Sequence, residues 1–149
     1  MQLTIDASTL VAESLRVRGR QLIANPIFDL AIATAALSEA TFEIEKRIVY
    51  LKRFRQLSSS AANVLRSEVQ LLISQELSLP AEAMYAEYID EARWRIPRDL
   101  DDVPTVALAL ALVCGILTAD RDFFGCGLPV WMTDTLLAYL DHHAAVSGR

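Results

Sequence analysis

The sequence predicts an α/β protein built on a parallel sheet with helices on both faces. Two observations carry this. Short apolar runs alternate with longer stretches of helical periodicity, the pattern of strand–helix–strand units. Hydrophobic residues make up 53% of the 149 positions, enough for a core that covers both faces of a sheet.

Taken in order, Gln2 to Ile5 reads as the first strand. STLVAESLRVRGRQLIAN then carries apolar residues at helical intervals, with Ser8 or Thr9 as N-cap, a weak point at Gly19 and a stop at Asn25-Pro26. Phe28 to Ala33 is the second strand. Long helices follow from about Thr34 to Leu57 and from about Ala61 to Leu77, separated by a turn at Ser58 to Ser60. Beyond Pro80 a further helix runs from about Ala81 to Ala92, and RWRIP reads as a short third strand. DDVPTVALALALV is a helix, GILTA the fourth strand, LPVWM the fifth, and TDTLLAYLDHH a closing helix with Thr133 as N-cap. One domain spanning 1–149 is expected, without internal repeat or linker.

The formal charge of −5 argues against a broad electrostatic grip on nucleic acid, although fourteen Lys and Arg leave room for a local basic patch. MQLTID lacks the basic start and long apolar run of a secretory leader. VPTVALALALVCGILTA is flanked by acids and broken by Pro104 and Gly115, so it reads as a buried helix and strand, not a membrane span. Cys114 and Cys126 fit neither a zinc site nor a disulfide framework. A cytoplasmic location is the expectation.

The acids fall at the ends of these elements. Asp6 closes the first strand, Asp120 and Asp122 follow the fourth, and Asp102 opens the helix between them. In an open parallel sheet, ligands bind beyond the carboxyl ends of the strands, where strand order reverses. With the first and fourth strands adjacent, Asp6 and Asp120 meet at one edge, and Asp102 approaches from its helix start. Glu39 and Glu43 share one helix face and can lean over the same edge. Carboxylates gathered this way repel and raise one another's pKa. A hard cation such as magnesium or manganese relieves that repulsion, takes oxygen ligands, activates water and orients a phosphodiester. Each acid also has a structural reading. Asp6 can cap the following helix, Asp102 can complement the helix dipole ahead of Pro104, and Asp120 with Asp122 can form an Asx-turn. Asp99 and Asp101 read as solvated loop acids.

LTIDASTLVA, ALSEATFE, DDVPTVALALA and GILTADRDF resemble, in order and spacing, the motifs of PIN-domain nucleases. That family includes the toxin ribonucleases of bacterial VapBC-type toxin–antitoxin pairs. The resemblance covers nearly the full chain. It implies a three-layer α/β/α fold with a five-stranded parallel sheet, here with a long helical segment between strands two and three. It implies Mg2+- or Mn2+-dependent cleavage of RNA. By position, Asp6, Glu39, Asp102 and Asp120 match the catalytic acids, and Asp6, Asp102, Asp120 and Asp122 the acids at the metal. Ser8 matches a hydroxyl that steadies the site, and Glu43 is a supporting acid that competes with Glu39 for the second position. A cognate antitoxin filling the cleft and a homodimer are further implications.

RVRGR offers Arg16, Arg18 and Arg20 as RNA contacts. KRIVYLKRFR offers Lys46, Arg47, Lys52, Arg53 and Arg55 as a second set of phosphate contacts but reads first as a solvated helix face, and no aromatic platform for bases is visible. His142 and His143 face different ways on a helix and read as tail residues. Trp94, Trp131 and Tyr139 read as core or dimer anchors. Two other classes compete. A non-catalytic module would use the same fold for dimerisation or partner docking. A phosphoryl-accepting signalling domain needs paired acids after the first strand and a late lysine; here one Asp stands there, and no lysine follows Lys52.

Overall fold

The computed structural model describes residues 1–147. Five strands form one parallel sheet: β1 (Gln2–Ile5), β2 (Asp29–Ala31), β3 (Leu77–Ser78), β4 (Gly115–Leu117) and β5 (Val130–Trp131). Their order is β3-β2-β1-β4-β5. Leu3 of β1 is in register with Leu30 of β2 on one side and Gly115 of β4 on the other. β1 is buried after its first residue and β4 throughout, as central strands covered on both faces must be.

The helices are α1 (Ala7–Ser14), α2 (Val17–Ile23), α3 (Thr34–Phe54), α4 (Ser59–Glu76), α5 (Ile89–Arg95), α6 (Val103–Leu112) and α7 (Thr133–Ser147). α1 packs on α2 and α3, and α4 packs on α2 and α3. α5 packs on α6, which lies against β1 and β4. The chain reverses direction across the sheet between β3 and β4, and with the right-handed crossover that parallel strands adopt this sends the two groups to opposite faces. The result is the three-layer α/β/α sandwich.

Sequence explains the unequal burial of the helices. α6 is apolar nearly all round, and Val103, Thr105, Val106, Ala107, Leu108 and Ala109 are buried. α3 fully buries only Ala36, Ala40, Ile44 and Ile48, a row spaced by four, with Leu37 half-buried beside it, and leaves most of its remaining surface open.

Several sequence-based expectations need correction. RWRIP is not a strand. Arg93 and Arg95 belong to α5, tied back to Asp90 (3.0 Å) and Glu91 (2.7 Å) by helical ion pairs. The third strand is Leu77–Ser78, which pairs with β2 where α4 ends. The helix expected from Ala81 is two 3₁₀ turns, Glu82–Met84 and Ala86–Tyr88, ahead of α5. The first helix caps at Asp6, not at Ser8 or Thr9, and breaks at Leu15 and Arg16, not at Gly19. Trp94 is 87% exposed and is no core residue, whereas Trp131 and Tyr139 meet edge to face at 5.9 Å. Among the described residues, no helix is long and apolar enough to cross a membrane.

Candidate active site

Strand order reverses between β1 and β4, so a crevice opens at their carboxyl ends. Asp6 leaves β1 directly into this crevice, and its peptide N–H bonds the Leu117 carbonyl of β4 (3.1 Å). Its side chain is buried but does not cap α1. Instead Oδ2 accepts from Ser8 Oγ (2.5 Å) and Thr118 Oγ1 (3.2 Å). Thr118 Oγ1 in turn accepts from the Asp120 amide (2.9 Å), so one fully buried hydroxyl joins the ends of β1 and β4. Thr9 Oγ1 adds a second tie by accepting from the Ala119 amide (3.1 Å).

Asp120 also takes up the Asx-turn: its Oδ1 accepts from the Asp122 amide (2.9 Å) and starts the 3₁₀ turn Arg121–Phe123. Asp122 points its Oδ1 toward Arg98 at 3.5 Å and does not figure among the acids that perturb Asp102.

Asp102 stands at the N-cap of α6 and makes no capping bond. Its Oδ2 is buried without any hydrogen-bond partner. Burial pushes its carboxyl up to about 7, and Asp6, Asp99, Asp120 and Glu39 push the same way. Glu39, in the second turn of α3, is also raised, by burial first and then by Asp6, Asp101, Asp99 and Glu43. Glu43 is turned to Lys46, which it meets at 2.6 Å. The two glutamates therefore differ: Glu39 lies in the field of the distant acids, and Glu43 has a local counter-ion.

Asp6, Glu39, Asp102 and Asp120 thus come from four separate elements into one field of mutual repulsion. All their donor atoms are oxygens, and one is buried and orphaned, which suits a hard divalent cation. Among the described residues, no group of three Asp, Glu, His or Cys side chains stands in a ligating arrangement, so the acids converge as a field and not as a finished cage.

The other expected residues fall elsewhere. Arg20 is held by Glu68 (2.8 Å) and the Ser14 carbonyl (3.0 Å), bracing α1, α2 and α4 together. Arg16 and Arg18 are exposed at the start of α2. Thr118, Thr9, Asp99 and Asp101 were not among the expected site residues. The alternation of polar residues around GILTADRDF was the available signal for Thr118, but a threonine at a strand end reads first as β-propensity.

Carboxylates thus gather over the switch point of a three-layer α/β/α sheet. The family model of the PIN domain matches residues 4–141, and the chain belongs to the PIN-domain family. PIN domains are commonly metal-dependent nucleases. A comparison with curated proteins gives no match.

Proposed function

We propose that the protein is a divalent-metal-dependent endoribonuclease, the toxin of a type II toxin–antitoxin pair. The observation that carries the nuclease reading is the buried, unpartnered Oδ2 of Asp102, at the point where the fields of Asp6, Asp120 and Glu39 meet. Such an oxygen is costly in a fold unless something positive is meant to face it.

Asp6, Asp102 and Asp120 would hold the ion, with Asp122 at its margin. A bound Mg2+ or Mn2+ supplies neutralising charge at a phosphodiester and acidifies a water. The chain does the rest. Ser8 and Thr118 fix the Asp6 carboxylate, leaving its other oxygen free to bind. Glu39, raised in pKa and exposed at the cleft, accepts the proton of the attacking water. As the water oxygen bonds to phosphorus, the bond from phosphorus to the leaving ribose oxygen breaks, and that oxygen takes a proton from solvent.

The toxin role, an antitoxin that fills the cleft, a homodimer and a cytoplasmic site of action complete the proposal; the family resemblance of the motifs supports them. A non-catalytic docking module draws on the one contrary feature, the separation of the acids. A single experiment divides the two. Mg2+ or Mn2+ should raise the melting temperature of the wild type, and Asp6→Asn should lose that rise together with RNA cleavage. Cleavage that survives in Asp6→Asn, or no metal effect on the wild type, contradicts the nuclease reading.

A further inference from the structure

Glu39 begins a strip of unusual character. On α3, Glu39, Glu43, Lys46, Tyr50 and Arg53 share one face by three- and four-residue spacing, flanked by Phe42 and Phe54. This face is turned away from the buried Ala40–Ile44–Ile48 row. Phe42 is 66%, Tyr50 48% and Phe54 59% exposed. The aromatics are interleaved with cations: Lys46 Nζ lies 5.2 Å from the Phe42 centroid, and the Arg53 guanidinium 5.3 Å from that of Phe54. The Tyr50 and Phe54 rings stand 4.9 Å apart, and Glu43, Lys46, Arg47 and Tyr50 line a concavity of about 330 Å³ beside them.

Charge picks out the same strip. Five of the fourteen Lys and Arg lie between Lys46 and Arg55, in a chain of net charge −5. Among the described residues, Arg47, Arg53 and Arg55 form no ion pair with an acid. Glu43 is already matched by Lys46, so Glu39 is the one acid of this face left without a counter-ion. Exposed aromatic rings with unpaired cations, in line with a catalytic acid, are what a single-stranded nucleic acid requires: stacking for its bases and charge for its phosphates.

We propose that the exposed face of α3 from Phe42 to Phe54 is the track on which a single-stranded stretch of the RNA substrate leaves the acid cleft. The inference rests on the nuclease reading above and names how that site takes its substrate. With about 1.5 Å of rise per residue, Tyr50 lies about 16 Å and Phe54 about 22 Å beyond Glu39, a span of a few nucleotides. Phe42, Tyr50 and Phe54 stack bases. Arg47 and Arg53 meet phosphates. Recognition on such a track tolerates many sequences, because every base has a face to stack.

The test uses fluorescein-labelled single-stranded RNA of about twelve nucleotides, with fluorescence anisotropy on the cleavage-silent Asp6→Asn protein. Adding Tyr50→Ala and Phe54→Ala should weaken binding roughly tenfold or more. Adding Arg47→Gln and Arg53→Gln should reduce the slope of log affinity against log salt by ~1.4. All four positions are exposed, and unchanged melting curves will show that the variants fold. Unchanged affinity in both pairs of substitutions overturns the track while leaving the catalytic reading to its own test, cleavage by the wild type. A second copy laid antiparallel would also set the acids of α3 against its bases. If light scattering shows that Tyr50→Ala and Phe54→Ala convert a dimer to a monomer without changing RNA affinity, the face is a self-association surface and the proposal fails.

Discussion

Asp102 is the residue on which the electrostatics turn. In the fold its carboxyl keeps its proton up to about pH 7, against an ordinary value of 3.8. Between those values the folded chain binds one more proton than the unfolded chain, so this group makes stability fall as pH rises through the window and stay low above it. Asp102→Asn removes the charge that causes the loss. In metal-free buffer near pH 8 the variant should melt above the wild type, by roughly 2–4 °C for each kcal/mol recovered, and the gap should close toward pH 4. Thermal melts across pH check this; a gap that is constant with pH contradicts it. Asp6, Asp102 and Asp120 were legible in the sequence because each stands where an apolar strand or helix begins or ends, a place with a known geometric meaning. Thr118 and Asp99 were not. Thr118 reaches Asp6 across 112 residues of chain, and Asp99 acts on Asp102 only through a loop whose path no local pattern fixes.

At the scale of elements, helix ends and crossings decide stability. α6 ends at Val113, a β-branched residue with φ of 53° and 90% exposure. The left-handed region costs an L-residue about 1–2 kcal/mol, and so exposed a side chain loses little packing when removed. Val113→Gly should therefore stabilise the protein by about 1 kcal/mol net of the added flexibility of glycine, read as a higher denaturant midpoint. Gly19 works in the opposite sense. A Cβ there would meet the Glu13 carbonyl oxygen at 2.2 Å and its Cα at 2.6 Å, both backbone atoms that cannot step aside. Gly19→Ala should cost roughly 1–3 kcal/mol or more in chemical denaturation. The glycine announced a helix break in the sequence, yet its role is close approach between α1 and α2, which composition does not reveal. β3 was illegible for a different reason: two residues are too few to show a period of two. RWRIP showed alternation, but the acids at positions 90 and 91 complete a helical turn instead.

For the whole molecule, the parallel sheet followed from alternation of strands and helices, and the meeting of β1 and β4 gave the acids a common edge. What the chain alone did not show was how incompletely they close: distance between side chains depends on packing of α3 and α6 over the sheet, and that depends on the whole core. The exposed aromatic face of α3 was hidden likewise, since KRIVYLKRFR mixes buried Ile48 with exposed Tyr50 and Phe54 in one run. Acids remote in sequence gather in one field around the buried Asp102 oxygen, and the nuclease reading requires a divalent ion to neutralise it. Calorimetric titration of Mn2+ at about pH 6.5, in two buffers of different ionisation enthalpy, tests it most directly, because an ion that binds a protonated carboxyl must expel the proton. The wild type should bind Mn2+ with proton release, and Asp102→Asn should lose that release. Mn2+ that fails to bind, or binds with the same proton count in both proteins, would contradict it.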